Sequence, residues 1–167
     1  MSEFSQEDID RKISLQKGDK APNFSLKNSD GIEINLNDFV GKNVVLYFYP
    51  KDNTPGCTTE ACEFTQNYDE FIKNDTVIIG ISPDSTKSHT NFTQKYDLKH
   101  LLLSDEDKVV SKLYGVYQVR KNYGREYLGI VRTTFVIDKQ GIIKKVYKSV
   151  KAKDHAAKVL ADLTNKD

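Results

Sequence analysis

The chain has 167 residues, 38% hydrophobic and 29% charged, with a formal net charge of +1 and two cysteines. That length suits one domain with a single sizeable core rather than two. Lys and Arg are scattered, which leaves no electrostatic footprint for nucleic acid, and no apolar run approaches the roughly 18 residues of a membrane span.

The start, Met1-Ser2-Glu3-Phe4-Ser5-Gln6-Glu7-Asp8, is polar and acidic and does not read as a secretory signal. Two cysteines in such a chain point to a reducing compartment, the cytoplasm, and to catalysis, sensing or burial rather than a structural staple. Residues 1–16 carry Phe4, Ile9 and Ile13 as their large apolar side chains. They are expected to be a disordered extension or a short surface helix, with the domain itself spanning 17–167.

After the turn Gly18-Asp19-Lys20-Ala21-Pro22, two short runs, Phe24-Ser25-Leu26 and Ile32 to Leu36, flank Asn28-Ser29-Asp30-Gly31 and predict a β-hairpin. Val44 to Tyr49 is a continuous apolar run, as a strand buried on both faces requires. A helix is predicted from Pro55 to about Ile72, then a strand over Val77–Ile81 and a second helix from Ser85 to near Tyr96. Leu101–Leu103 predicts a third strand, and Asp107 to Tyr114 a short helix stopped by Gly115. Tyr117 to Gly129 is polar without a clean period and is assigned to a loop. Thr134–Ile137 and Ile142–Tyr147 flank Asp138-Lys139-Gln140-Gly141 as a hairpin, and a last helix runs from about Lys153 to Leu163. Lys144, Lys145, Lys148, Lys151 and Lys153 form the densest basic stretch, read as a solvated face. This order defines an α/β fold with a central mixed sheet flanked by helices and an N-terminal hairpin extension.

The most informative stretch is Thr54-Pro55-Gly56-Cys57, where a buried strand gives way to a helix with a cysteine in its first turn. A thiol there meets unpartnered amide N–H groups and the positive end of the helix dipole, which favours the reactive thiolate. On the helix, Ala61, Phe64, Tyr68, Phe71 and Ile72 share one stripe with Cys57, while Cys62 lies roughly 140° around. Residues five apart in an intact helix have Cα atoms about 8.5 Å apart. A disulfide needs less than about 7 Å with converging Cβ vectors, so these two cysteines cannot bond while the helix is wound. Two readings stand: both are reduced packing residues, or they form a disulfide conditional on local unwinding. Thr54 is placed to cap the helix before Pro55, with its hydroxyl beside the sulfur. Arg132, taken alone, reads as a surface residue at the start of a strand.

The segment Pro50-Lys51-Asp52-Asn53-Thr54-Pro55-Gly56-Cys57-Thr58-Thr59-Glu60-Ala61-Cys62 resembles the active site of peroxiredoxins, in particular the Q-type or bacterioferritin-comigratory group with two cysteines on one helix. The likeness runs from about residue 15 to 163 and includes Gly18 to Phe24 and Gly129 to Asp138. It implies a thioredoxin-like fold and a thiol-dependent peroxidase reducing hydrogen peroxide and organic hydroperoxides in antioxidant defence. Position by position, it implies Cys57 as peroxidatic cysteine, oxidised to sulfenic acid. Cys62 becomes the resolving cysteine of an intrachain disulfide, and Thr54 and Arg132 the donors to sulfur and peroxide, while Pro50 shields the pocket. It further implies recycling by thioredoxin or a similar dithiol reductant, no cofactor or metal, and a monomer or weak homodimer. Thr133 stands where serine is frequent in the group, and His89, His100 and His155 match no catalytic position. Two other functions stay open: a thioredoxin-like thiol–disulfide exchanger, disfavoured by the lack of Cys-x-x-Cys, and a non-enzymatic module with Cys57 as an oxidation sensor.

Overall fold

A computed structural model describes residues 4–165; the polar reading of residues 1–3 lies outside the described residues. The fold is built around β3 (Asn43–Phe48). Successive side chains of a strand point to opposite faces. Val44, Leu46 and Phe48 accordingly enter one core with Ile79, Ile81, Phe135 and Ile137, whereas Val45 and Tyr47 enter a second with Ile78, Leu102 and Val136. Both faces are covered, which is why the run reads as unbroken apolar sequence.

Chain order begins with α1 (Gln6–Asp10), then β1 (Ser25–Asn28), β2 (Glu33–Asn35) and a 3-10 turn before β3. It continues with α2 (Pro55–Gln66), α3 (Tyr68–Lys73), β4 (Thr76–Ser82), α4 (Thr86–Tyr96), β5 (Leu101–Ser104) and α5 (Val109–Leu113). Last come β6 (Tyr117–Asn122), β7 (Arg125–Ile130), β8 (Thr133–Ile137), β9 (Ile143–Tyr147) and α6 (His155–Thr164). The seven-stranded sheet has order β2-β1-β5-β4-β3-β8-β9. Strands β3, β4 and β5 are parallel; β1 joins β5 antiparallel, and β8 joins β3 antiparallel with Leu46 opposite Phe135. The N-terminal hairpin is thus one edge of the main sheet. Helices α2, α3, α4 and α6 supply Phe64, Phe71, Phe92 and Val159 to the second core, and α5 supplies Val110 to the first.

Three expectations are corrected. The segment assigned to a loop is a two-stranded ribbon, β6 against β7, with Asn122 opposite Arg125 across the turn Tyr123-Gly124. Both turn residues have positive φ, 53° and 77°, the geometry of a tight hairpin. The helix expected to run to Ile72 breaks at Asn67, whose side-chain amide donates to the Glu63 carbonyl at 2.8 Å and competes for the helix ladder. With the stripe reset at that break, Ile72 is exposed.

Of the two expectations for the N-terminal segment, the short helix is found. Ser5 caps α1 by accepting from the Asp8 amide at 3.0 Å. Arg11 Nη1 donates to the Tyr117 carbonyl at 3.0 Å, and Ile13 and Leu15 pack against the first core. Gly115, at φ +78°, lies so near the backbone of residue 12 that an added Cβ would stand 2.3 Å from the Lys12 carbonyl oxygen. Among the described residues no helix is long and apolar enough to cross a membrane.

Candidate active site

The loop after β3 is pinned before it reaches α2. Tyr49 Oη donates to Asp52 Oδ1 at 2.6 Å, Ser88 Oγ donates to Asp52 Oδ2 at 2.8 Å, and His89 Nδ1 lies 2.7 Å from that same oxygen. The Asp52 amide in turn donates to Asp84 Oδ2 at 2.7 Å. Tyr96 Oη and Lys95 Nζ hold the side chain of Asn53, which takes φ 61°. Loop and α4 are thereby fastened to each other immediately before the helix start. Pro55 occupies the first turn of α2, where its missing N–H costs nothing.

Cys57 follows, 1% exposed, on the stripe it shares with Ala61 and Phe64. Its sulfur accepts a hydrogen bond from Arg132 Nη2 at 3.2 Å, and Arg132 Nη1 donates to Glu60 Oε1 at 2.6 Å. Arg132 sits between β7 and β8, and its carbonyl accepts from the Val150 amide at 2.9 Å. Gly56 permits the approach: a Cβ there would lie 3.1 Å from Arg132 Nη2, tighter than ordinary contact. One guanidinium therefore faces two acidic groups in a nearly dry pocket. Burial opposes its charge, but Glu60 and then Cys57 outweigh burial and raise the Arg132 pKa above its ordinary value. Glu60 is fully buried; desolvation pushes its carboxyl up to about 7 against the opposing pull of Arg132.

Cys62 is partly buried and packs at the border of the second core. Burial, and secondarily Glu63, raises its pKa, which keeps it a thiol. Both cysteines are free. The structure brings Cys57 and Arg132 together, whereas Thr54 departs from expectation. It holds the cap position, but its hydroxyl makes no cap bond and donates instead to the Lys51 carbonyl at 2.8 Å. A hydroxyl proton committed to a carbonyl leaves the oxygen lone pairs as the available function. Pro50 is exposed next to buried Tyr49.

Sequence reasoning passed over Glu60 and gave the three histidines no catalytic position. His100 bridges Tyr47 Oη at 2.7 Å and Thr65, and burial drives its pKa down to about 3. His155 lies 2.8 Å from Thr134 Oγ1, and its pKa falls to about 4 through burial first and then Arg132 and Lys158. A signal for Glu60 was legible: it lies one turn from Cys57, within the stripe that faces the sheet, where an ionisable side chain is out of place.

A buried cysteine in the first turn of a helix, hydrogen-bonded by a guanidinium on a thioredoxin-like sheet, defines a thiol-dependent peroxidase of the peroxiredoxin class. The sequence profile of the AhpC/TSA family matches residues 17–146. Peroxiredoxin Bcp of Bacillus subtilis is 47% identical over 151 residues, covering 90% of this chain and 96% of the relative. The Xanthomonas campestris bacterioferritin comigratory protein, studied for alkyl peroxide reduction, superposes with a TM-score of 0.80 at 39% identity, covering 84% of this chain and 89% of that one. Xylella fastidiosa PrxQ gives a TM-score of 0.85 at 35% identity, covering 89% and 95%. The chain belongs to the AhpC/TSA family, within its Bcp or Q-type peroxiredoxins.

Proposed function

We propose that Cys57 is the sulfur that attacks peroxide, that Cys62 resolves the product, and that Thr54, Arg132 and Pro50 form the pocket around the reacting atoms. The observation that supports this best is Arg132 Nη2 at 3.2 Å from a sulfur that is 1% exposed. The Cys57 thiolate attacks one peroxide oxygen; an S–O bond forms, the O–O bond breaks, and charge grows on the leaving oxygen. Fixed N–H donors beside that oxygen lower the barrier, more so away from bulk water. The Thr54 lone pairs accept the peroxide O–H and so orient it, while Pro50 walls the pocket on its solvent side.

Resolution needs α2 to open, because Cys57 and Cys62 cannot meet on an intact helix. Opening releases Glu63 Oε1 from the Asp154 amide, a bond of 2.7 Å. The Cys62 thiol then attacks the sulfenic sulfur, water leaves, and a disulfide forms within the chain. A dithiol reductant, thioredoxin or a similar protein, restores both thiols. The substrates are hydrogen peroxide and organic hydroperoxides, the latter supported by the alkyl peroxide reduction of the Xanthomonas campestris relative. One chain suffices for the cycle, which fits a monomer or weak homodimer. Two free thiols fit the cytoplasm, and residues 17–167 form the catalytic domain behind a sixteen-residue extension.

Peroxide consumption with a dithiol reductant tests these roles. Cys57→Ser is expected to abolish it, and Cys62→Ser to consume one equivalent of peroxide without cycling with thioredoxin. Full-rate cycling by Cys62→Ser would refute the resolving role, and an intrachain Cys57–Cys62 link in mass spectra after one equivalent of peroxide would support it.

A further inference from the structure

The Arg132 guanidinium donates to Glu60 Oε1 through one nitrogen and to Cys57 Sγ through another. The second Glu60 oxygen, Oε2, is buried with no hydrogen-bond partner among the described residues. A carboxylate placed so would leave half its charge uncompensated in a dry site, next to a thiolate drawing on the same cation. One cation balances one of the two anions, so a single proton belongs to the pair.

We propose that Glu60 is the proton reservoir of the peroxide step: it enters protonated on Oε2, yields its proton to the leaving oxygen, and ends as the carboxylate partner of Arg132. This rests on Cys57 being the attacking sulfur. The step balances. Cys57 thiolate, hydroperoxide and Glu60 carboxylic acid become Cys57 sulfenic acid, alcohol (or water) and Glu60 carboxylate. Sulfur is oxidised by two electrons, the O–O bond is reduced, and the alkoxide takes the carboxyl proton. The anion facing Arg132 is conserved: it moves from sulfur to carboxylate, which frees the oxidised sulfur from the guanidinium just when α2 must open. Condensation of the sulfenic acid with the Cys62 thiol releases water and shifts no net proton. The dithiol reductant then returns Cys57 as a thiol, and that thiol passes its proton back to Glu60.

Other groups around Glu60 are poor candidates for this proton. Tyr47, from β3, is raised well above its ordinary value by burial and then by Glu60, and its hydroxyl is engaged with His100. His155, from α6, is held neutral, with a pKa lowered to about 4. Glu63, on the same helix, spends its Oε1 on the Asp154 amide. Glu60 itself, pushed up to about 7 by desolvation, changes protonation in the working range.

The test uses the full chain carrying Cys62→Ser, which stops at the sulfenic acid, treated with one equivalent of hydrogen peroxide at pH 6 in weak buffer. Infrared difference spectra and a pH indicator are read together. The expected result is loss of one protonated-carboxyl C=O band with no proton taken from solvent. Adding Glu60→Gln should remove that band change and make the step consume one solvent proton per sulfenic acid. An unchanged carboxyl band, or uptake of a full proton with Glu60 present, would overturn the proposal; these arms need no substitution at Glu60. Mass spectra showing no oxygen added at Cys57 would instead overturn the assignment of the attacking sulfur, and this proposal with it.

Discussion

Gly56 illustrates how little space the cluster around Cys57, the proposed reacting centre, has to spare. A methyl group at this position would press on Arg132 Nη2 at 3.1 Å, and the guanidinium can yield only by drawing back from Cys57 and Glu60. Gly56→Ala is therefore expected to lower the second-order rate with peroxide by roughly tenfold, which corresponds to about 1.4 kcal/mol of transition-state stabilisation. Stopped-flow measurement on protein shown to be folded by circular dichroism checks this. Arg132→Lys should cost more, on the order of a hundredfold, because a single ammonium cannot present a planar fork to sulfur and carboxylate together. The residues of this cluster were unequally legible. The cysteine, its proline and its threonine lie together in sequence and mark a helix start. Arg132 is separated from Cys57 by most of the fold, so spacing alone could not join them and only the family likeness did. The cap bond expected of Thr54 is absent, and its hydroxyl proton goes instead to the Lys51 carbonyl, three residues back, at 2.8 Å.

Among the elements, α2 is held at both ends by contacts of different kinds. Upstream, Asp52 collects Tyr49, Ser88 and His89; downstream, Glu63 reaches the Asp154 amide at the start of α6. The upstream group fixes where the helix starts, whereas the downstream bond would have to break for the proposed resolution by Cys62. Glu63→Gln weakens a charge-assisted bond to an ordinary one, by about 1 kcal/mol. It should speed disulfide formation after peroxide several-fold without changing the preceding oxidation rate, as rapid-quench mass spectrometry would resolve. Asp52→Ala should instead destabilise the protein by about 3 kcal/mol, since it strands the buried donors of Tyr49 and His89 and frees the half-buried Ser88 hydroxyl; urea titration checks it. Strands buried on both faces were read correctly because their composition leaves no alternative. The β6–β7 ribbon was missed for the opposite reason. Its residues are mostly half-buried or exposed, so no apolar alternation marks it, and its turn carries Tyr123 rather than Asn before the glycine. The break at Asn67 escaped notice because a single asparagine is tolerated in many helices.

The molecule as a whole buries groups with opposed responses to acid. His100, with its pKa lowered to about 3 from an ordinary 6.5, binds its proton more readily unfolded. Its contribution is complete above pH 6.5 and is lost as pH falls toward 3. His155, lowered to about 4, acts in the same direction over a narrower range of pH. Glu60 acts in reverse: raised from 4.5 to about 7, it contributes fully below pH 4.5 and loses that contribution as pH rises to about 7. Between pH 4.5 and 6.5 the carboxyl masks part of the histidine slope. Glu60→Gln should unmask it, making unfolding free energy fall more steeply with acid by about 1.4 kcal/mol per pH unit. Denaturant titrations at half-unit pH steps would show it.

Gly115 has a consequence on the reverse side of the sheet from Cys57. Since the carbonyl of Lys12 occupies the spot where a side chain at 115 would stand, one methyl group would evict the leading segment from its berth. Arg11 and Lys12 would become cleavage points for trypsin, and the back of the sheet would lose its cover. The peroxide chemistry, on the far side, should go on undiminished.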